Sequence, residues 1–571
     1  MAYDLLIQGG TVVDGSGLPG YRADVGIIGG MIAAIGDLKG QAAKETVDAD
    51  GHVVSPGFVD GHTHMDAQIF WDPLGTCSCW NGVTSVVMGN CGFTIAPCAE
   101  KDKRLVFSNL ERAEDISPAA MDAGIPWSWE TVPEFMDTLD KLPKGINYAT
   151  YVGHSAVRTY VMGERAFTDK AGPDDLKAMV DVVDGGLRAG AVGFSTARSH
   201  QHRTAEGRPV ASRVGDWSEV EAMCQAMADY GTGVFEISRG IGNLDEDGRK
   251  QELANLRSLA IDIGVPITYG GSWYTRHKPD LWRDQFAFVD EIVADGGKAL
   301  IQATSTWNGA LRSFETMTPF DKRPLWSEIR QLPLAEQEKA FRDPEIKKKL
   351  VEIASGHKQE NNPLFHNVLL RPVDYDWMFP HYHPLPPYKS LAEIARERHQ
   401  HPAETMIDLA LEKHLKLFFM CPNFSEDQDY VLAMLRHPNS AVTFSDSGAH
   451  VTSTINPLHS YLLGHWVRNE KKITMEAAIR KISFDIASFW GLPRRGLLRE
   501  GWHADVVVFD PETIAPEMPW LEHDLPTGAP RLILKAKGIK NTIVNGRVLM
   551  RDNVHTGALP GQLIRNRLAV N

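Results

Sequence analysis

Two histidines separated by one residue are the most specific chemical signal in the sequence. His62 and His64 follow the mostly apolar segment VVSPGFVDG at residues 53–61. In a β-strand, residues i and i+2 point to the same face, so both imidazoles can reach one ion. Two structural histidines would show the same spacing, but the position at the end of a predicted strand favours metal binding. We therefore predict that His62 and His64 are metal ligands.

The elements that must position this pair form a repeating pattern of strands and helices. Amphipathic segments at 173–188 and 217–229 separate short apolar runs, which indicates an α/β fold with a parallel sheet covered on both faces. We predict eight strands, at residues 57–61, 84–88, 146–152, 191–195, 234–237, 266–269, 299–303 and 441–444. Eight such units indicate a (β/α)8 barrel of the TIM type. The alternative is an open doubly wound sheet, but the G-x-G-x-x-G turn that usually follows its first strand is absent.

Short strands also occur at both ends of the chain, around Gly29-Gly30 and Asn545-Gly546 turns. Neither end has enough strands for an independent sheet, so we expect the two ends to combine into one small β-sandwich domain. The predicted division is 1–56 and 491–571 for this β domain and 57–490 for the barrel, with an insertion at about 308–440.

The insertion is rich in aromatic residues. Long insertions at the C-terminal face of barrel strands often form lids or pocket walls. We predict that Trp377, together with Trp307 and Tyr382, lines an apolar pocket that contacts the substrate. A packing or oligomer surface is the alternative for the same residues.

The overall composition excludes several classes of protein. The chain has 571 residues, 43% of them hydrophobic, and a formal net charge of −14, which argues against a nucleic-acid groove. The first residues lack the features of a secretory signal, and no apolar stretch of about 18 residues occurs, so we expect a cytoplasmic protein without a membrane partner. Six irregularly spaced cysteines fit reduced thiols.

Six motifs resemble the amidohydrolase superfamily and, within it, the N-acyl-D-amino-acid deacylase (D-aminoacylase) family. They are GFVDGHTHMDAQ (57–68), GVTSVVMGNCGFTIAP (82–97), VGHSAVR (152–158), GFSTAR (193–198), TFSDSGAHV (443–451) and GWHADVVVFDP (501–511). Residues 240–435 carry the resemblance least.

The resemblance implies roles for individual residues. His62 and His64 would be ligands, Cys91 a thiolate ligand where many relatives have a carboxylated lysine, and Asp446 a general base that also touches the metal. Imidazole, thiolate and carboxylate together suit Zn²⁺, as one or two ions, although another divalent metal remains an alternative. A small buried thiol is the alternative for Cys91.

The sequence departs from the family pattern at strands five and six. The family has a metal-binding histidine at each of these strand ends, whereas this chain has VFEIS and ITYG. Glu236 could supply a carboxylate ligand in strand five. Tyr269 is a poor replacement in strand six, and we predict a substrate contact for it.

Further candidates lie near other predicted strand ends. His154 is a candidate catalytic residue that could orient a carbonyl oxygen, with a structural role as the alternative. Arginines near strand ends could pair with a substrate carboxylate; they are Arg158, Arg198, Arg203, Arg239 and Arg276. Of these we select Arg198 and Arg203 for the substrate site, together with His202 from a second H-x-H pair and His450.

Together these features predict a metal-dependent hydrolase of N-acyl amino acids that acts through metal-activated water with Asp446 as the base. The resemblance implies substrates in the D configuration. A hydrolase of bulkier amides, esters or thioesters is one alternative. A non-catalytic barrel scaffold is another. We expect a small acylated substrate as the partner and homo-oligomerisation as an open possibility.

Overall fold

The computed structural model describes residues 2–112, 114–240, 245–270, 280–355 and 373–566. Arg276 and residues 356–372 of the predicted insertion lie outside these ranges. Within them, no helix is long and apolar enough to cross a membrane.

The centre of the fold consists of parallel strands in sequence order. Strands one to eight are Phe58–Asp60, Val83–Met88, Asn147–Thr150 continued by Val152–Gly153, Gly193–Ala197, Val234–Ser238, Ile267–Gly270, Ala299–Ala303 and Ser440–Val442. Each strand pairs in parallel with the next, in a three-stranded and a six-stranded sheet that meet within strand three. Nearly all their residues are buried, as expected for strands covered on both faces. The α/β fold class and the eight predicted strands are confirmed.

Residues that follow strands one and eight also lie side by side. Thr63 and Ser447 form an isolated parallel bridge. The backbone N–H of His64 donates to the Ser447 carbonyl at 2.8 Å, and that of Asp446 donates to the His62 carbonyl at 3.3 Å. These contacts bring the loop after strand eight against the histidine pair.

Helices connect the strands and cover them. The segments predicted at 173–188 and 217–229 are the helices Pro173–Ala189 and Trp217–Tyr230. Pro173 stands in the first turn, where its missing N–H costs nothing, and Gly190 ends the helix with a φ of 104°. The other α-helices are Lys103–Leu110, Pro118–Gly124, Val132–Lys141, His154–Met162, Ala211–Val214, Glu246–Ser258, Leu281–Ala294, Trp326–Arg330, Leu334–Arg342, Pro344–Ser355, Leu391–Arg398, Pro402–Leu411, Gln428–Arg436, Leu458–Tyr461, Met475–Lys481 and Phe484–Phe489.

Strands from both ends of the chain form one nine-stranded sheet. Its members are Tyr3–Val12, Tyr21–Ile28, Met31–Gly36, Ala43–Asp48, Val53–Pro56, Val506–Phe509, Ile539–Val544, Arg547–Arg551 and Val554–His555. Val506–Phe509 joins the two ends by pairing antiparallel with Val53–Pro56. The strands of the two ends thus pair with one another, as the sequence predicts, and their arrangement as a sandwich stays a prediction. Tyr3–Val12 is long enough to pair with three neighbours, so it links them into a single sheet.

The region predicted as an insertion has its own sheet and core. Asn308–Arg312, Phe419–Phe424 and Phe379–Pro380 form a three-stranded antiparallel sheet. Phe314 and Trp326 lie in a separate hydrophobic cluster with the helices of this region. These two aromatic side chains therefore stabilise the region itself.

Candidate metal centre

The two histidines that follow strand one face a common carboxylate. His62 and His64 are buried, and their Nε2 atoms lie 3.3 Å and 3.6 Å from Oδ1 of Asp446. Strand alternation turns both rings to the same side, as the spacing predicts. Asp446 reaches them from a left-handed backbone conformation with a φ of 55°. The loop after strand eight thus places a carboxylate between two imidazoles.

Cys91 completes a group of three possible ligands. It lies in a turn after strand two with a φ of 56°, and its Sγ is 3.6 Å from Nε2 of His62. The ligand atoms of His62, His64 and Cys91 all lie within 4.8 Å of one another. Burial and the nearby Glu236 raise the pKa of the Cys91 thiol well above its usual range, so a thiolate here would need a cation beside it.

Buried carboxylates surround this group. Glu236 accepts a hydrogen bond from the Cys91 backbone at 2.7 Å, and its Oε1 lies 3.9 Å from Nδ1 of His62. Burial raises the pKa of Glu236 to about 7. Burial opposes ionisation of Asp446 too, but hydrogen bonds from His62 and His64 hold the pKa of Asp446 well below its usual range.

Two further carboxylates at the centre escaped the sequence analysis. Oε2 of Glu114 is 3.6 Å from Nε2 of His64 and 3.9 Å from Nε2 of His450. Burial alone would lower the pKa of His64, but Glu114 and Asp446 raise it to about 9. Asp66 accepts from the Gly89 backbone at 3.0 Å, and burial raises its pKa to about 7. Asp66 lies in a turn two residues beyond the histidine pair, so its closeness in the sequence is the one local signal for it, whereas nothing local marks Glu114.

The donor set fits a cation such as Zn²⁺. Imidazole, thiolate and carboxylate are the ligand types that zinc binds in proteins. Within the described ranges, Oε1 of Glu236 and Nδ1 of His64 are buried without a hydrogen-bond partner. Because buried polar atoms rarely stay unpaired, these orphaned atoms also favour a site for a ligand.

His154 belongs to a different cluster. Its Nδ1 hydrogen-bonds Thr196 at 2.8 Å and its Nε2 hydrogen-bonds Glu219 at 3.1 Å. Glu219 also pairs with the buried guanidinium of Arg158. Burial lowers the pKa of His154 to about 4. Both ring nitrogens are thus engaged outside the His62–His64–Cys91 group, and the catalytic role of His154 stays a prediction.

The structure brings two of the predicted substrate residues near the centre. The ring of His202 is 5.0 Å from that of Phe93, which in turn is 6.4 Å from the ring of His64. His202 is half-buried beside the ring of Phe93, and desolvation lowers its pKa to about 4. His450 approaches through Glu114, as described above.

The predicted arginines and Tyr269 are engaged elsewhere. Arg198 donates to the carbonyls of Gly215 and Asp216, at 2.6 and 3.2 Å. Arg203 donates to the carbonyls of His200 and Gly207, at 3.2 and 2.8 Å. The Tyr269 hydroxyl donates to the Gln285 carbonyl at 3.3 Å, in the helix that follows strand six. These contacts do not bring the three side chains to the metal centre, so their substrate roles stay predictions.

An apolar cavity opens beside the loops after strands seven and eight. Its lining includes Trp307, Tyr388 and Tyr461. Asn456 also lines it and donates to the carbonyl of Ser445, the residue before Asp446, at 3.3 Å. Of the three aromatics predicted to form a pocket, Trp307 lines this cavity. Trp377 and Tyr382 lie outside its lining.

Comparisons with known proteins agree with this geometry. The sequence profile described as "Amidohydrolase family" matches residues 45–550. D-aminoacylase from Alcaligenes xylosoxydans xylosoxydans is 28% identical, over 99% of this chain and 98% of the relative. N-acyl-D-glutamate deacylase from the same organism is 27% identical, over 99% and 97%. The solved structure of N-acyl-D-glutamate deacylase from Bordetella bronchiseptica, complexed with zinc and a phosphonate inhibitor, has a TM-score of 0.64 at 24% identity and covers 99% of this chain and 100% of that one. The likeness to this structure shows a shared fold.

Proposed function

Because the chain belongs to the amidohydrolase family, we propose that it is a zinc-dependent deacylase that cleaves the amide bond of N-acyl-D-amino acids. The observation that carries this proposal is the convergence of His62, His64 and Cys91 within 4.8 Å, with Asp446 against both imidazoles. The two full-length relatives named as deacylases of N-acyl-D-amino acids support the substrate class.

His62, His64, Cys91, Glu236 and Asp446 would hold the metal. A bound zinc ion supplies Lewis acidity: it brings the pKa of a water ligand towards ~7 and polarises a carbonyl. The imidazoles add no charge, while the thiolate and carboxylates neutralise the cation in a site with little water.

Asp446 is the proposed general base. A carboxylate beside a cation can accept a proton and yet stays mostly ionised before the attack. It accepts the proton of the attacking water and then delivers that proton to the nitrogen of the leaving amine. The loop that carries Asp446 is held by backbone hydrogen bonds to strand one, which fixes the carboxylate beside the reacting atoms.

The apolar cavity is the proposed site for the acyl group. Its walls carry Trp307, Tyr388 and Tyr461, and one of its polar groups, Asn456, is hydrogen-bonded to the loop of Asp446. A large aromatic wall offers about 150 to 250 Å² of contact per side chain, which a small acetyl group would scarcely use. The acyl group is therefore long or aromatic.

The pairing of the strands also supports a proposal for the fold and its domains. The eight strands close into a (β/α)8 barrel through the Thr63–Ser447 bridge. Residues 57–490 form this barrel, residues 1–56 and 491–571 form the β domain, and the segment at about 308–440 is an insertion with its own core.

Zinc content and a substrate panel test the proposal. The purified protein should contain stoichiometric zinc and should hydrolyse N-acyl-D-methionine but not N-acyl-L-methionine. Stoichiometric zinc with activity only towards esters, thioesters or other amides would overturn the substrate assignment. Absence of zinc and of all hydrolysis would favour a non-catalytic scaffold.

A further inference from the structure

A chain of hydrogen bonds links strands six and seven to the first histidine of the metal centre. The Thr268 hydroxyl donates to the Leu300 carbonyl at 2.9 Å, and Nε2 of Gln302 donates to Oγ1 of Thr268 at 3.2 Å. Oε1 of Gln302 lies 2.6 Å from Nδ1 of His62. Thr268, Gln302 and His62 are fully buried, so water does not compete for these groups.

The direction of each hydrogen bond follows from the first one. A threonine hydroxyl has a single hydrogen, and Thr268 donates it to the backbone. Its oxygen can then only accept from Gln302, which turns the amide NH₂ of Gln302 towards Thr268 and its carbonyl towards His62. A carbonyl oxygen can only accept, so Nδ1 of His62 must carry a hydrogen. In neutral His62, Nε2 then keeps its lone pair and faces Cys91 and Asp446.

The other acceptor near this nitrogen does not compete. Oε1 of Glu236 is 3.9 Å from Nδ1 of His62, beyond hydrogen-bonding distance. Gln302 also differs from a carboxylate in being neutral. It fixes the ring without adding charge to a site where Glu236 and Asp446 are already buried.

We propose that Gln302, itself oriented by Thr268, is a positioning residue that holds His62 in the Nδ1–H tautomer and so presents Nε2 to the cation. This inference rests on the proposed metal site and is independent of the substrate assigned above. Side chains that hold a ligating histidine in this way typically change metal affinity by 10- to 100-fold when they are removed.

Three single variants of the protein test this series of hydrogen bonds. Gln302→Leu removes the acceptor at similar volume, Gln302→Glu keeps an oxygen in the same place, and Thr268→Val releases the amide of Gln302 so that it can rotate. Zinc affinity is measured by competition with a chromophoric chelator. The tautomer of His62 is measured in metal-free, ¹⁵N-histidine-labelled protein, with the signal assigned by comparison with His62→Ala.

We expect Gln302→Leu to weaken zinc binding by about 10- to 100-fold and to lose the uniform Nδ1–H signal. Gln302→Glu should retain both, and Thr268→Val should lie between the wild type and Gln302→Leu. Equal losses in the Leu and Glu variants would show that an oxygen acceptor at this place does not hold His62, which would overturn the inference. Unchanged affinity and tautomer in Gln302→Leu would also overturn the inference.

Thermal unfolding of the metal-free variants checks that each one folds. If Gln302→Leu does not fold, Thr268→Val decides, since it replaces a hydroxyl by a methyl group of similar size. A wild-type protein that binds zinc but cleaves no N-acyl amino acid would refute the proposed function while leaving this test intact.

Discussion

Replacing Asp446 with asparagine separates a general base from a simple metal ligand. Asp446 has a φ of 55°, a left-handed conformation that asparagine tolerates and alanine does not. The side-chain volume is also unchanged. The variant therefore keeps the loop against the histidine pair and removes the negative charge, and with it the capacity to accept a proton.

The expected loss of activity in Asp446→Asn follows from the contacts that remain in the variant. His62, His64, Cys91 and Glu236 keep their places, and the asparagine oxygen can still face the two imidazoles that lie 3.3 and 3.6 Å from Asp446. Zinc should therefore stay bound. Loss of a positioned base should lower kcat by roughly 10²- to 10⁴-fold, which corresponds to about 2.7 to 5.4 kcal/mol in the barrier.

Steady-state kinetics on an N-acyl-D-amino acid, with zinc measured on the same samples, provides the assay. Asp552→Asn is a matched control, because Asp552 also has a positive φ, of 46°, and is exposed in a C-terminal hairpin. A near wild-type kcat in Asp446→Asn would exclude the base. Loss of zinc together with activity would instead make Asp446 a ligand alone.

Further outcomes are expected at the metal centre, at the His154–Glu219 pair and at the apolar cavity. Replacing both His62 and His64 with Ala should abolish zinc binding and turnover. His523→Ala, at an exposed histidine, is the control and should retain both. Full zinc content in the double variant would place the site elsewhere. Cys91→Ser should weaken zinc binding in a chelator competition without unfolding the chain, and unchanged affinity would leave Cys91 as a buried thiol only. Glu219→Gln should lower the free energy of unfolding by about 3 to 5 kcal/mol, because it leaves the buried Arg158 without its counter-charge. Glu221→Gln, on the exposed face of the same helix, is the control and should have little effect. In the wild type, burial lowers the pKa of His154 to about 4. Burial alone would raise the pKa of Glu219, but His154 and Arg158 lower it to about 2. At this pair the unfolded chain therefore binds more protons than the folded chain from about pH 6.5 downwards, so the stability that the pair contributes should fall with acidification through that window. A His154→Gln variant whose unfolding midpoint falls with pH as steeply as that of the wild type would contradict this. Trp307→Ala should lower kcat/KM for long-chain or aromatic N-acyl substrates by roughly tenfold or more relative to N-acetyl substrates. Trp377→Ala, outside the cavity lining, should not change this ratio. A wild-type preference for N-acetyl substrates would contradict the assignment of the cavity to the acyl group.

The sequence alone determined the parts of this protein that depend on local pattern. Strand periodicity placed His62 and His64 on one face, and apolar runs located the eight central strands, because alternation and burial leave their mark within a few residues. The Gly29-Gly30 and Asn545-Gly546 turns were visible for the same reason, since these residues adopt the positive φ that the turns require.

Only the tertiary structure decided which distant residues complete the site. Gln302 is 240 positions from His62, and Glu114 reaches His64 and His450 from a loop with no distinguishing pattern. The sequence also did not indicate which neighbour a side chain would face. The Tyr269 hydroxyl bonds the helix after its strand, and His154 faces Glu219. A one-dimensional pattern records whether a position is buried, but the partner of a buried polar group is chosen by the packing of strands and helices that are remote in sequence.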